Sequence, residues 1–284
     1  MSTADRDLST LPAPTVVEPL DFEVILAAHQ ADLLARHPDA ADVLALESEP
    51  LTKLIQAHAY RELLYRQRVN EAARAYLLAY AIGADLDHKG AFYGVARLPG
   101  EDDERLRARI QLRVRALAGN GTREAYEYTA LTASPLVRGA RATQPAPGSV
   151  LVLVWPQAGA DAQAALSAVN AAVLADGAHT LGVTVLTALA RPRAIHVTAR
   201  ITREPLAPAD LPPRLAALLP ALIDQHATLG RDLPRSWLSA RLHVDGVAGI
   251  SWPDPARPAE VTALADDEYP VAGDISVIDG GLAQ

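Results

Sequence analysis

Cysteine is absent from the 284 residues, which excludes disulfides, thiolate metal sites and cysteine nucleophiles. Lysine is nearly absent. Of 26 basic residues only Lys53 and Lys89 are lysines, a bias without fold information. No window approaches the roughly 18 uninterrupted apolar residues of a membrane span. The richest run, Leu215 to Ile223, is short and contains Pro220. The opening residues, Met1 to Asp7, hold two Asp and one Arg and lead into no signal-peptide core, so synthesis in the cytoplasm is expected. Positive charge is also scarce: 26 Lys+Arg against 34 Asp+Glu leave a net −8, which argues against bulk binding to nucleic acid or an anionic membrane. Half of the residues are apolar, enough for a sizeable core and about two domains.

Catalytic patterns are missing as well. The eight histidines form no HExxH and no close pair at metal spacing. His88 follows Asp85 and Asp87 in DLDH, which helix capping explains more cheaply than a metal site. No GxSxG elbow occurs. The carboxylate pairs Glu47/Glu49 and Asp102/Asp103 sit at polar helix termini, not in an apolar pocket that would raise an acid's pKa. The run Gly119-Asn120-Gly121-Thr122 lacks the lysine of a phosphate-binding loop and reads as a turn.

What is present is helix, then strand. Residues 8–20, with Pro12, Pro14 and Pro19, predict an extended arm that needs a surface to lie on. Asp21 predicts the cap of a helix to about His37, ended by Pro38. A second start lies near Asp42. From Pro50 to Ala81 no further proline and no glycine intervenes, and Gly83 predicts the stop. A short helix capped by Asp85 or Asp87 is expected to bury Leu86, Phe92 and Tyr93. Residues 101–118 predict a helix with acids in its first turn, arginines at 105, 109 and 113, and an apolar side of Leu106, Ile110 and Leu117. Thr122 predicts the cap of a helix to Ala133.

One feature of the long helix stands out. Leu51, Ile55, His58, Glu62, Tyr65, Val69, Ala72, Tyr76 and Ala79 recur at alternating steps of four and three, a heptad-like seam widened by Leu54, Ala73, Leu77 and Tyr80. The opposite side carries Arg61, Arg66, Arg68, Asn70, Glu71 and Arg74. At 1.5 Å per residue, about 32 residues span roughly 48 Å, against about 30 Å for a small domain. The preceding helix covers part of such a seam at most, so partner helices are expected on the rest.

After Ser134 the pattern turns to β-branched runs at 150–155, 182–189 and 194–202. An Ala-rich helix over 160–177 separates the first two, and a second helix is expected over 211–229. A further helix at 234–242, capped by Ser236, and strands at 247–252 and 274–279 complete the pattern. The fold class predicted is α+β: an elongated N-terminal helical bundle segment followed by small split βαβ-type α/β domains. The divisions expected are an arm (1–20), a helical domain (21–98), a helical connector (99–134) and two α/β units (135–193 and 194–284).

The block LESEPLTKLIQAHAYRELLYRQRVNEAARAYLLAYAIGADLDHKGAFYGVARL (46–98) resembles the signature region of the J-type baseplate wedge proteins of contractile phage tails and R-type bacteriocins. The segments LPAPTVVEPLDFEVIL (11–26) and TLGRDLPRSWLSARLHVDGV (228–247) are similar to further parts of that family. The resemblance covers most of the chain and is weakest over 135–190; the stretch between about 98 and 125 is shorter than in larger members. It implies a structural, non-enzymatic subunit with no cofactor. It further implies that two copies and a smaller partner bundle their N-terminal helices into a wedge. C-terminal domains of neighbouring copies then link wedges into a sixfold ring around a hub, and contraction begins when that ring rearranges. Sheath-initiator and hub proteins are further implied partners, and release by lysis is the implied route out of the cell. Nucleic acid and membrane are not expected partners. The expected bundle contacts are Leu51, Leu54, Ile55, His58, Glu62, Tyr65, Val69, Ala72 and Tyr76, with Arg61, Arg66 and Arg68 available to acids on partners. Ring contacts are expected from the 194–202 strand and the 236–250 region. The rival functions are a cell-wall hydrolase using Glu62 or Asp102, and a nucleic-acid binder using the arginines between Arg105 and Arg115.

Overall fold

The computed structural model describes residues 14–119 and 121–283, so the first part of the expected arm and Asn120 of the expected turn lie outside the described residues. The chain divides into two compact units, Met1–Arg97 with Asp102–Ile110, and Leu98–Glu101 with Gln111–Gln284.

In the first unit Asp21 caps α1 (Phe22–Arg36), its Oδ1 accepting the amides of Glu23 at 2.8 Å and Val24 at 3.4 Å. A 3-10 turn (Pro38–Ala40) and α2 (Ala41–Leu44) lead to α3 (Pro50–Ala75), where Pro50 sits in the first turn and its missing N–H costs nothing. The long helix ends at Ala75, short of the Ala81 that the pattern predicts. The cause is tertiary. Arg107, on α5 (Asp103–Ala116), donates Nε to the Leu78 carbonyl at 2.9 Å and Nη2 to the Ala81 carbonyl at 2.8 Å. A guanidinium that satisfies those carbonyls removes the need for further helical turns.

Gly83 does not end α3. With φ +51 it opens α4 (Gly83–Phe92), which places Asp85 and Asp87 inside that helix, not at its cap. Asp87 accepts from Arg97 at 2.7 Å. Asp103 accepts the Gly83 amide at 2.9 Å and Arg97 at 2.7 Å, and these bonds hold its carboxyl below the ordinary carboxylate range. Leu86, Leu106 and Ile110 are fully buried; Phe92, expected inside, is 83% exposed, and Leu117 is also exposed. Gly90 lies on the packed side of α4, where a Cβ would stand 2.6 Å from the Val95 carbonyl oxygen. Arg109 is buried and donates to the Ala96 carbonyl at 3.2 Å.

The second unit holds two small sheets. In the first, α6 (Arg123–Ala133), capped by Thr122 as expected, and α7 (Ala162–Val173) pack on a sheet of order β1-β2-β3. Its strands are β1 (Val137–Thr143), β2 (Ser149–Pro156) and β3 (Thr184–Leu189). β1 and β2 are antiparallel. β2, α7 and β3 form the expected parallel crossover. Val152, Val154, Val169 and Val185 fill that core. In the second sheet β4 (Arg191–Arg203) lies between β6 (Val247–Ser251) and β8 (Glu268–Leu282). Ile195, Val197 and Ile201 from β4 meet Leu215, Leu219 and Ile223 of α8 (Leu211–His226) and Leu238 and Leu242 of α9 (Arg235–Leu242). Pro234 holds the N-cap position of α9 without a side-chain hydrogen bond, two residues before the Ser236 expected as the cap, which lies inside the helix. A two-stranded ladder of β5 (Leu233–Pro234) and β7 (Val261–Thr262) lies beside it.

Trp155 ties the two sheets together. It stacks on Tyr269 at 4.7 Å between ring centroids and clusters with Ala190 and Leu229. β1 adds polar ties: Arg138 reaches Asp224, and Arg141 donates to the Leu229 carbonyl at 2.7 Å. The architecture is α+β with a helical N-terminal region, as the sequence predicts.

Glu127 of α6 is half-buried against β1. Its Oε1 accepts the Ala142 amide of β1 at 3.1 Å, and burial pushes its pKa up from the ordinary glutamate value. A raised folded-state pKa contributes stability below the unfolded value of about 4.3, and that contribution is lost as pH rises through the folded value. Glu127→Gln keeps the acceptor and removes the charge. Its melting temperature relative to wild type is therefore expected to rise between acidic and neutral pH; a flat or falling difference would contradict this account.

Candidate assembly surface

Helix α3 has two faces with different fates. One is used by the chain itself. Thr52, Ala59 and Asn70 are buried on it, and α1 packs along it. Thr52 donates its hydroxyl to the Val43 carbonyl at 3.3 Å. Asn70 clasps the described end of the arm: its Oδ1 accepts the Glu18 amide at 3.1 Å and its Nδ2 donates to the Glu18 carbonyl at 2.8 Å. The surface that the proline-rich segment needs is, at Glu18, the chain's own α3. The side of Asn70, expected to face solvent, is thus partly covered, and no hydrophobic periodicity marks a buried amide of this kind.

Ion pairs continue the same contact. Glu62 meets His29 of α1 at 2.8 Å and Arg66 at 2.7 Å, and Arg66 reaches Glu18 at 3.2 Å. The hydrogen bond from Arg66 is the main reason the Glu62 carboxyl lies below its ordinary range. Two expectations change here. Arg66 is engaged within its own chain, and Arg68 lies 3.6 Å from Glu71, so neither waits unpaired for a partner's acid. Arg61 is exposed.

The other face is open. Leu54, Tyr65, Val69 and Tyr76 are 55%, 73%, 56% and 76% exposed, and His58 and Ala72 lie exposed among them. Leu51, Ile55 and Glu62 are half-buried toward the chain itself. The predicted seam is therefore split: its first residues border the α1 contact, while the stripe from Leu54 to Tyr76 faces outward. At 26 residues α3 spans roughly 39 Å, less than the sequence suggests. Past its end the apolar surface continues as a groove of about 890 Å³ lined by Tyr76, Tyr80, Ile82, Lys89 and Phe92, with Arg74 beside them. Lys89 Nζ stands 3.5 Å over the Tyr76 ring. Ile82 and Phe92 of this groove escape a heptad reading because they lie beyond the helix, in and after the turn that Arg107 holds.

The rival sites dissolve into structural roles. Glu62 is an ion-paired carboxylate, the opposite of a poised general acid. Asp102 Oδ1 accepts the Arg105 amide at 2.7 Å and caps α5. Of the arginine cluster, Arg107 and Arg109 point into the first unit, and Arg113 lies 5.5 Å from the Tyr128 ring. No helix among the described residues is long and apolar enough to cross a membrane. The strand over 194–202, expected to link rings, is the central strand β4, and both its edges are already paired; the open edges of that sheet belong to β6 and β8.

Large exposed apolar surface of this kind marks an interaction site. Comparison with known proteins finds a match over the region that carries it. Residues 47–100 match the model of the baseplate J-like N-terminal domain. Over 299 aligned positions the chain is 36% identical to baseplate protein J of Escherichia phage P2, covering 97% of this chain and 98% of that protein. The match takes in both units, and the chain belongs to the baseplate J-like family.

Proposed function

We propose that this protein is a structural, non-enzymatic subunit of the baseplate wedge of a contractile tail or tail-like particle. The observation that carries the proposal is the outward stripe Leu54–Tyr65–Val69–Tyr76 on α3, apolar and aromatic in a chain whose own core is complete without it. A second copy and a smaller wedge protein lay their helices on that stripe, and sheath-initiator and hub proteins meet the assembled wedge. Neighbouring copies join through their C-terminal sheets into a ring that rearranges on contraction, and the pairing uses β8, the longer of that sheet's two open edges. Assembly takes place in the cytoplasm and the particle leaves by lysis.

The test is the double variant Tyr65→Asp, Val69→Asp, co-expressed with the neighbouring tail genes. Both side chains are exposed, so the isolated subunit melts as wild type while its partners no longer co-purify. Recovery of a normal complex from that variant would sink the reading. Electron cryo-microscopy of the wild-type baseplate checks the ring: strand density continues across β8, and a bare β8 edge removes that part of the proposal.

A further inference from the structure

We propose that the groove beyond α3 seats an acidic, apolar-anchored segment of a different polypeptide. This rests on the assembly reading and adds the chemistry of the partner.

The first argument is shape and surface. Tyr76, Ile82 and Phe92 are 76%, 67% and 83% exposed around one concavity, more aromatic surface than solvent alone explains. A segment with two or three apolar side chains fills it. The second argument is charge. Helix α3 carries five basic side chains (Lys53, Arg61, Arg66, Arg68 and Arg74) against Glu62 and Glu71, a net of +3 within a chain of net −8. A second α3 seated in the groove, as distinct from one on the stripe, would bring the same positive charge again and repel. The groove itself is lined by Arg68, Arg74 and Lys89 against Glu71 and Asp85, and Glu71 is already paired with Arg68. Among the described residues Arg74 and Lys89 have no carboxylate partner, whereas Arg66 and Arg68 do. Lys89 is already desolvated on one side by the Tyr76 ring, so a carboxylate arriving there gains more than it would at an open surface. An acidic segment supplies what a second copy of α3 lacks: carboxylates for Arg74 and Lys89, flanking anchors over Tyr76, Ile82 and Phe92.

The experiment places p-benzoylphenylalanine at the exposed position 92 of the full chain, co-expressed with the neighbouring tail genes. The complex is irradiated and the cross-linked peptide sequenced. The expected peptide comes from a different polypeptide and carries Asp or Glu within one helical turn of the linked residue. A link to a second copy of this chain, a link to a segment without acids, or no link in an assembled complex overturns the proposal. A second measurement uses Arg74→Glu, Lys89→Glu, in which recovery of the complex falls about tenfold or more, with the loss growing as salt is lowered. Wild-type recovery overturns the proposal too. The two readings separate cleanly. If Tyr65→Asp, Val69→Asp blocks assembly while the groove variants assemble normally, the stripe keeps its role and only the groove's occupant is lost.

Discussion

Arg109→Ala lowers the stability of the protein by about 3 kcal/mol or more in denaturant unfolding. Arg109 is 1% exposed and donates to the Ala96 carbonyl in the turn that follows α4. Alanine leaves that carbonyl without this donor and opens a void where the side chain packed. Arg109→Met separates the two losses. It restores most of the volume but none of the donors, so it recovers part of the stability and stops short of wild type. A loss under about 1 kcal/mol for the alanine variant, the level of a surface arginine, would mean that the buried guanidinium contributes nothing net. A lysine at 109 is not conservative either, since a single ammonium cannot reproduce a planar fork.

Trp155→Ala is expected to cost about 3–5 kcal/mol, with roughly 1 kcal/mol of that from its stack on Tyr269. The ring is 6% exposed, lies 4.3 Å from the Arg138 guanidinium, and sits where the end of β2 meets the loop before β4. Each sheet has a core that excludes Trp155, one of valines around α7 and one of leucines and isoleucines around α8. The variant therefore keeps its secondary structure and loses the coupling between the sheets. Denaturant unfolding followed by circular dichroism broadens or splits into two steps. A single transition near the wild-type midpoint would show that β1's arginines couple the sheets without the tryptophan.

Much of this architecture is legible in the residues. Asp21 and Thr122 cap their helices because a short side-chain oxygen reaches two or three residues ahead whatever surrounds it. The runs that become β2, β3 and β4 are β-branched and bounded by glycine or proline, and that composition with those boundaries assigns them. β1 is missed: Val137–Thr143 reads VRGARAT, with two arginines and a glycine, and it is a strand because β2 offers a ladder and Glu127 accepts one of its amides. The stripe on α3 is visible as heptad spacing. Which of its residues face outward is not, since that depends on where α1 and Glu18 lie down.

Local chemistry thus accounts for the caps, the strands, the amphipathic period and the lack of a membrane-spanning run, since each depends on neighbours a few positions away. The place where α3 stops, the burial of Arg109 and Asn70, and the groove of Tyr76, Ile82 and Phe92 came from contacts between distant segments. Arg107 meets the carbonyls of Leu78 and Ala81 across 26 or more positions of chain, and Asn70 meets Glu18 across 52. A hydrogen bond of that reach leaves no period and no spacing behind, because its two ends are brought together only when the helices between them have packed.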